Sequence, residues 1–543
     1  MQERDSASKA ARVSSERLNA KAAGIVGLAI LSSRLLGVVR EQVFAALFGG
    51  GRLMDAFTIA FRIPNILRDL FAEGALSTSF TTVFTKTTAT QGDGAAWRLA
   101  NKVCTLAVIV LSAITVLGIA IAPWLVSLLA PGFDPEKARL TVTLTRVMWP
   151  FIVLVSVAAL AMGMLNARNV FGMPAMASTL FNLGSIIVGV GLGWWLDPSF
   201  GPRALLGLSI GTLVGGALQL CVQIPPLWRV GYAYRPDFLW RDEGVRSILR
   251  LMGPSVIAAS TTLVNVTVNS IFASDLGDGP TYWLNIAFRL VQLPLGLFGV
   301  ALGTVALPLL SRMAVAGNFQ AFRSELARGM RLAFLLTIPA TIGLMMLAEP
   351  IMSVLYQHRK FTAYDAAEAA GALRYYAIGL AGYAALKVLV NAFYALDRRK
   401  TPMLVSFGAV ALNLLLNWFF TWHLGWGHRG LALSTACIAV TNFALLYLLM
   451  YRHLRRFETR ALITLVAKVV LSCGVLGLIC WLSARGPLAH WATQPLWPKL
   501  ATLLATIAVA GGLFVACATL LGIRELRDLF QVLGRRLGRA RAR

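Results

Sequence analysis

The segment IAFRIPNILRDLFAEG at residues 59–74 sets Arg62, Asn65, Arg68, Asp69 and Glu73 inside an apolar run. On a helix the steps from Arg62 to Asn65, Asp69 and Glu73 are three, four and four residues, so these four side chains share one stripe, with Arg68 beside it. Upstream, SSRLLGVVREQ at 32–42 adds Arg34, Arg40 and Glu41, Asp55 lies between the two groups, and Arg289 stands alone in the second half of the chain. Guanidinium groups in excess of carboxylates suit an anion with planar or tetrahedral oxygens, and diphosphate matches the bidentate fork better than other abundant membrane anions. Arg34, Arg40, Arg62, Arg68 and Arg289 are therefore the candidate substrate-binding residues. Glu41, Asp55, Asn65, Asp69 and Glu73 are candidate gates or charge partners. A competing reading uses the same charges to hold helices together, because Arg34 and Glu41, like Arg62 and Asp69, are seven apart on one face.

No catalytic or metal-binding set accompanies them. The five histidines (His358, His423, His428, His453 and His490) have no metal-ligand spacing, and the six cysteines form no CxxC pair. The closely spaced glycines of GVGLGWW at 189–195 follow no strand and read as helix packing, not as a nucleotide-binding turn. No cofactor is expected, and an enzyme is not; coupling to an ion or to the membrane potential is left open.

The elements that position these residues are membrane helices. The 543 residues are 57% hydrophobic and 14% charged, against roughly a quarter charged in soluble domains. A span needs about 20 apolar residues, and about fourteen such segments run near 23–48, 54–86, 102–130, 142–166, 174–196, 203–228, 246–273, 281–311, 327–356, 366–396, 403–424, 430–451, 461–483 and 498–522. The fold class expected is an all-α integral membrane protein. Each charge at mid-bilayer costs at least about 2.5–3.5 kcal/mol, so the arginine group calls for a hydrated cavity. Arg146, Arg374, Lys387 and Lys468, also in or near spans, read as snorkelling or helix-pairing groups.

The net charge of +26 first suggests nucleic acid, but its distribution argues for a membrane anchor over that partner, with RNA left only as an alternative for the basic tail. Of the 50 lysines and arginines, 32 fall in the N-terminus, the even-numbered connections and the C-terminal tail, against nine in the odd-numbered loops and nine within spans. That bias predicts cytoplasmic termini, with the basic tail gripping anionic headgroups.

The chain also repeats itself. IAFRIPNILRDLF at 59–71 returns as IAFRLVQLPLGLF at 286–298, and GLSIGT at 207–212 as GLALST at 430–435. Six helices separate the copies, so both halves enter the membrane in one orientation, as two six-helix lobes related by a pseudo-two-fold axis along the membrane normal. The divisions expected are a cytoplasmic segment 1–22, an N-lobe 23–228, a C-lobe 246–451, two further helices in 461–522 and a tail 523–543. Pro64 and Pro294 predict kinks at comparable places in the two lobes.

Taken together, SSRLLGVVRE, DAFTIAFRIPN, LRDLFAEGALS and FRLVQLPLGLFGVALGTVALPLLS resemble the MurJ (MviN) family of lipid II flippases, within the multidrug/oligosaccharidyl-lipid/polysaccharide exporter superfamily. The resemblance covers the whole chain. It implies a bacterial inner-membrane transporter in peptidoglycan biosynthesis that moves undecaprenyl-diphosphate-linked precursor to the periplasmic leaflet by alternating access, with lipid II as partner and other cell-wall synthesis proteins as candidate partners. It also implies cavity roles for Arg34, Arg40, Arg68 and Arg289 and for Asp55. Glu41 stands where relatives usually have aspartate, and Arg62 where lysine is common. The sodium-binding carboxylate of some relatives is missing from 246–273, which offers only Asn265 and Asn269. The alternatives are a flippase for another polyprenyl-diphosphate glycan and a membrane-embedded glycosyltransferase or acyltransferase.

Overall fold

A computed structural model describes residues 29, 31–70, 76–454, 458–488, 495–528 and 531. Among the described residues there is no strand, and every one of the fourteen apolar segments carries helix. Packing divides the chain into two compact units, between Asp275 and Leu276.

The first unit holds α1 (31–48), α2 (Arg52–Leu70), α3 (Leu76–Gln91), α4 (Asp93–Leu129), α5 (Pro135–Met148), α6 (Phe151–Ala167), α7 (Gly172–Leu196), α8 (Ala204–Cys221), the short α9 (Ile224–Arg229) and α10 (Glu243–Ser274). The second holds α11 (Pro280–Pro294), a π-helical turn (Leu295–Val300), α12 (Ala301–Val315), α13 (Phe319–Met346), α14 (Ala348–Tyr356), α15 (Ala363–Ile378) and α16 (Leu380–Ala395). It continues through α17 (Lys400–Trp418), a second π-helical turn (Phe419–His423), α18 (Gly427–Leu454), α19 (Thr459–Arg485) and α20 (Leu496–Leu520). Among the described residues nine helices are long and apolar enough to cross a membrane, or ten if α15 and α16, bent by 41°, count as one span. α5 and α6, interrupted only at Trp149 and Pro150, run on as one span over Pro135–Ala167, whereas two segments that read as single spans are jointed: 327–356 is α13 and α14, and 281–311 is α11, the π turn and α12.

The repeat is built into the helix starts. α2, α5 and α7 begin at 52, 135 and 172; α11, α15 and α17 begin at 280, 363 and 400, each 228 residues on. The proline kinks are not matched. α2 runs through Pro64 as α-helix, whereas α11 ends at Pro294 and passes into the π turn, where the lost hydrogen bond is absorbed by a wider ring.

Local sequence explains the ends. Asp134 accepts from the backbone of Glu136 and Lys137 and Pro135 fills the first turn of α5, while Thr362 and Asp365 form a capping box on α15. Gly49, with φ 81°, makes the turn between α1 and α2. Two of the three glycines of GVGLGWW, Gly189 and Gly193, do pack helices. A Cβ on Gly207 of α8 would lie 2.3 Å from the backbone nitrogen of Gly193 on α7, so these two helices touch backbone to backbone.

α10 stands at the start of the second repeat, yet it packs on α2, α3 and α4. Asp242 at its N-terminus is held by Lys102 of α4 at 2.7 Å, which keeps that carboxyl below its ordinary range. α19 and α20 brace the second unit, burying Leu465, Val469, Leu503 and Phe514 with Leu335 of α13. Arg331 of α13 reaches Glu458 and Glu525 at 2.7 Å each, and Lys468 donates to the carbonyl of Leu521 at 2.9 Å.

Candidate functional site

The polar group of the first unit is carried by α1 and α2, joined by the tight turn at 49–51. Arg40 is buried at 6% exposure. Its Nη2 lies 2.9 Å from Glu41 Oε1, and its guanidinium carbon sits 5.4 Å from the ring of Phe181, 5.9 Å from Phe44 and 6.0 Å from Phe61. Three ring faces and one carboxylate therefore stabilise a charge that could not otherwise stay so far from water. Arg34, two turns earlier, is exposed. Asn182 of α7 donates to the carbonyls of Ser33 and Ser178, tying α1 to the helix that supplies Phe181.

On α2, Asp55 is fully buried and paired with Lys137 of α5, Nζ to Oδ2 at 2.9 Å. Arg62 donates to the hydroxyl of Ser270 on α10. Asn65 keeps a buried side-chain oxygen with no hydrogen-bond donor among the described residues. Arg68 places Nε and Nη2 on Asp69 Oδ1 at 3.2 and 2.8 Å, in a pair still open to solvent. Glu73 lies outside the described residues. Arg289 is half-buried on α11 of the second unit.

The ion-pair reading thus holds in kind, with different partners. Glu41 is taken by Arg40 and not by Arg34, and Asp69 by Arg68 and not by Arg62. Seven-residue spacing puts charges on one face but about 10 Å apart along the axis. Long guanidinium side chains bend to an adjacent carboxylate more easily than they cross that distance. Within the first unit the described group comprises Arg34, Arg40, Arg62, Arg68 and Lys137 against Glu41, Asp55 and Asp69, so cations exceed carboxylates.

Sequence reasoning missed Lys137, Ser270 and the aromatic enclosure of Arg40. Lys137 was legible: Asp134-Pro135-Glu136 is a helix-start signature that would have extended the segment beginning at 142 backward and placed Lys137 on its first turn. Ser270 and the ring of Phe181 depend on tertiary packing, and no local pattern marks them. Of the weaker candidates, Arg146 donates to the carbonyl of Ile119 at 3.2 Å and Arg374 to Glu349 at 3.3 Å, as helix-pairing groups would.

Outside the spans, Arg52 at the start of α2 reaches Asp134 at 2.5 Å and Glu136 at 3.1 Å. The Arg52 guanidinium, with the backbone amides of α5, holds the Asp134 carboxyl down at about 2.

Residues 44–501 match the family model for lipid II flippase MurJ. The chain is 34% identical over 501 residues to the lipid II flippase MurJ of Burkholderia cenocepacia, covering 91% of this chain and 96% of that protein. A solved lipid II flippase MurJ in an inward closed conformation superposes with a TM-score of 0.73 at 22% identity, over 93% of this chain and 99% of the other. An inward-facing multidrug resistance MATE family transporter of the MOP superfamily shares the fold, with a TM-score of 0.67 at 14% identity, over 78% and 94%.

Proposed function

The chain belongs to the MurJ family of lipid II flippases, and from that premise we propose how its own residues carry lipid II from the cytoplasmic to the periplasmic leaflet by alternating access. No covalent bond changes in this reading. The single observation that carries it is the surplus of cations over carboxylates on α1, α2 and the start of α5, with Arg40 and Arg68 each held by an adjacent acid.

Glu41 and Asp69 act as placeholders. They keep the guanidinium groups oriented while no anion is bound, and each offers one carboxylate where a diphosphate offers several oxygens for bidentate contacts. The diphosphate displaces them, the sugar and peptide enter the hydrated space, and the polyprenyl chain stays in lipid. Binding that neutralises the arginines shifts the equilibrium toward the outward-open state through its differential affinity for the two states. With the termini in the cytoplasm, each negative charge carried outward gains about 2.3 kcal/mol per 100 mV of inside-negative potential, enough to bias direction without a bound ion. α10 supplies the amides Asn265 and Asn269 and no carboxylate within 246–273, a donor set that does not fit a sodium site of the carboxylate kind.

The test is translocation of labelled lipid II in vesicles containing only this protein. Arg40→Ala and Arg289→Ala abolish transport while the protein remains inserted, and an imposed inside-negative potential accelerates the wild type. Unimpaired flipping by both variants would refute the assignment of these arginines, and selective transport of another polyprenyl-diphosphate glycan would refute lipid II as cargo.

A further inference from the structure

The starts of α2 and α5 carry opposite charges at the same spacing. α2 has Arg52 and, three residues on, Asp55; α5 has Asp134 before its first turn and, three residues on, Lys137. They meet in order, Arg52 with Asp134 at 2.5 Å at the surface and Asp55 with Lys137 at 2.9 Å in the interior. A slip of either helix by one turn would set like charges against each other or bury one alone. Lys137 is 2% exposed, its ammonium lies 4.0 Å from the ring centre of Phe133, and Phe133 packs with Ile59 of α2. Nothing about this site is open to a ligand.

The second unit ties the same helices at the same register with different chemistry. Trp283, 228 residues after Asp55, donates its indole N–H at 3.1 Å to Asp365, 228 residues after Lys137. Two unlike pairs at one place in a duplicated fold mark a point where these helices need to be held.

We propose that Lys137 is a positioning residue for the transport site: by gripping Asp55 it sets the rotation of α2 and so aims Arg62. This rests on the reading of the arginines given above. Asp55 and Arg62 are seven residues apart, so they leave the helix on nearly the same face, about 10 Å apart along the axis. A rotation of α2 by about 20° swings a guanidinium held roughly 8 Å from the axis by about 3 Å, which breaks a hydrogen bond such as that of Arg62 to Ser270. Lys137 touches no cargo in this scheme; it acts through Asp55.

The experiment compares Lys137→Met, Lys137→Arg and the double variant Asp55→Asn/Lys137→Gln with wild type, measuring lipid II affinity of the purified protein, translocation in vesicles and the melting temperature. Lys137→Met weakens lipid II binding about tenfold in the protein that remains folded. Lys137→Arg recovers most of that loss, and the neutral hydrogen-bonding double variant binds better than Lys137→Met alone. A Lys137→Met protein that melts earlier yet binds lipid II as wild type when folded would show a merely structural pair and overturn the proposal, as would unchanged binding and transport. Arg62→Ala separates the two claims. If it transports normally the arginine reading itself falls; if it is impaired while Lys137→Met is not, only the role of Lys137 falls.

Discussion

Gly215 of α8 offers a sharp test of the packing that encloses Arg40. A Cβ built there lies 2.6 Å from the carbonyl oxygen of Phe181, 2.7 Å from Ser185 Oγ and 3.0 Å from the Phe181 ring. Phe181 is the ring closest to the Arg40 guanidinium, at 5.4 Å. Ser185 donates to that same carbonyl at 2.8 Å, so the new methyl group presses on a hydrogen-bonded turn of α7 and not on a loose side chain. Moving from 2.6 Å to the 3.4 Å at which ordinary van der Waals contact begins asks the backbone at Phe181 to retreat by about 0.8 Å. Overpacking of this kind costs about 1–3 kcal/mol. The control is Gly191→Ala on α7, where nothing lies within 4 Å of the added atom. Both substitutions gain the same helix preference, about 0.5–1 kcal/mol, so their difference isolates the clash. In detergent, followed by intrinsic tryptophan fluorescence, Gly215→Ala melts several degrees below Gly191→Ala, and translocation falls with it because the wall around Arg40 has shifted. Equal melting of the two proteins would refute the backbone contact between α7 and α8, and a loss of stability with full transport would refute the link from Phe181 to Arg40.

Three other outcomes are expected. Asp69→Asn removes the acid that competes for Arg68 in a partly exposed pair; at about 0.2–1 kcal/mol for such pairs, lipid II affinity rises roughly 1.4- to 5-fold, and a weaker affinity would show that Asp69 is not a placeholder. Asp134→Asn keeps a good helix cap while removing the charge beside Arg52. Because the Asp134 carboxyl is lowered to about 2 from an ordinary 3.8, its contribution is full above pH 3.8 and lost as pH falls through about 2, so the melting difference between wild type and variant closes over that window and a constant difference contradicts the pairing. Arg331→Gln breaks the bridges to Glu458 and Glu525 and speeds tryptic cutting after Arg524 and Arg527, read by mass spectrometry, whereas an unchanged cutting rate would show that the burial of Ile523 and Leu526 and the remaining polar contacts hold the segment without these bridges.

What the sequence made legible follows its periodicities. Apolar length located the helices and the echo of IAFR located the duplication, because both are properties of letters at fixed spacing. Charge type located Arg40, Arg62 and Arg68 as residues that need a reason to lie among apolar neighbours. Pairing was less legible. The arginines assigned to Glu41 and Asp69 by helical spacing were displaced by the adjacent arginines, and the ammonium that pairs with Asp55 came from 82 residues away. The interruptions were illegible for a related reason: the break between α5 and α6 at Trp149 and Pro150 and the π turn after Pro294 interrupt runs whose hydropathy never changes. α10 is the instructive case, since repeat order assigns it to the second half while Lys102 and its packing on α2, α3 and α4 bind it to the first. Sequence order tells which elements are homologous by duplication; contacts decide which move together.

The duplicated register explains why the chemistry could become lopsided. A clasp between the second helix of a repeat and the helix that begins near the middle of that repeat is satisfied by an ion pair in one copy and by an indole on a carboxylate in the other. Once either solution holds the helix, the residues further along are released from a packing duty. In the first unit they are Arg62, Asn65, Arg68 and Asp69; in the second, Arg289 is followed by LVQLPLGLF, apolar apart from one amide. Arg62 lies seven residues beyond Asp55, but Arg289 lies only six beyond Trp283. One residue is about 100° of helical rotation, so the two arginines leave their clasps in different directions. The copies share how they are held and differ in what they present, and aligning the repeats by the IAFR motif alone would hide that rotation. Inserting one residue between Trp283 and Arg289 would restore the spacing of the first unit while turning Arg289 through that angle. Loss of lipid II transport with retained folding is the expected result, and full activity would mean that the direction in which Arg289 leaves its helix does not matter.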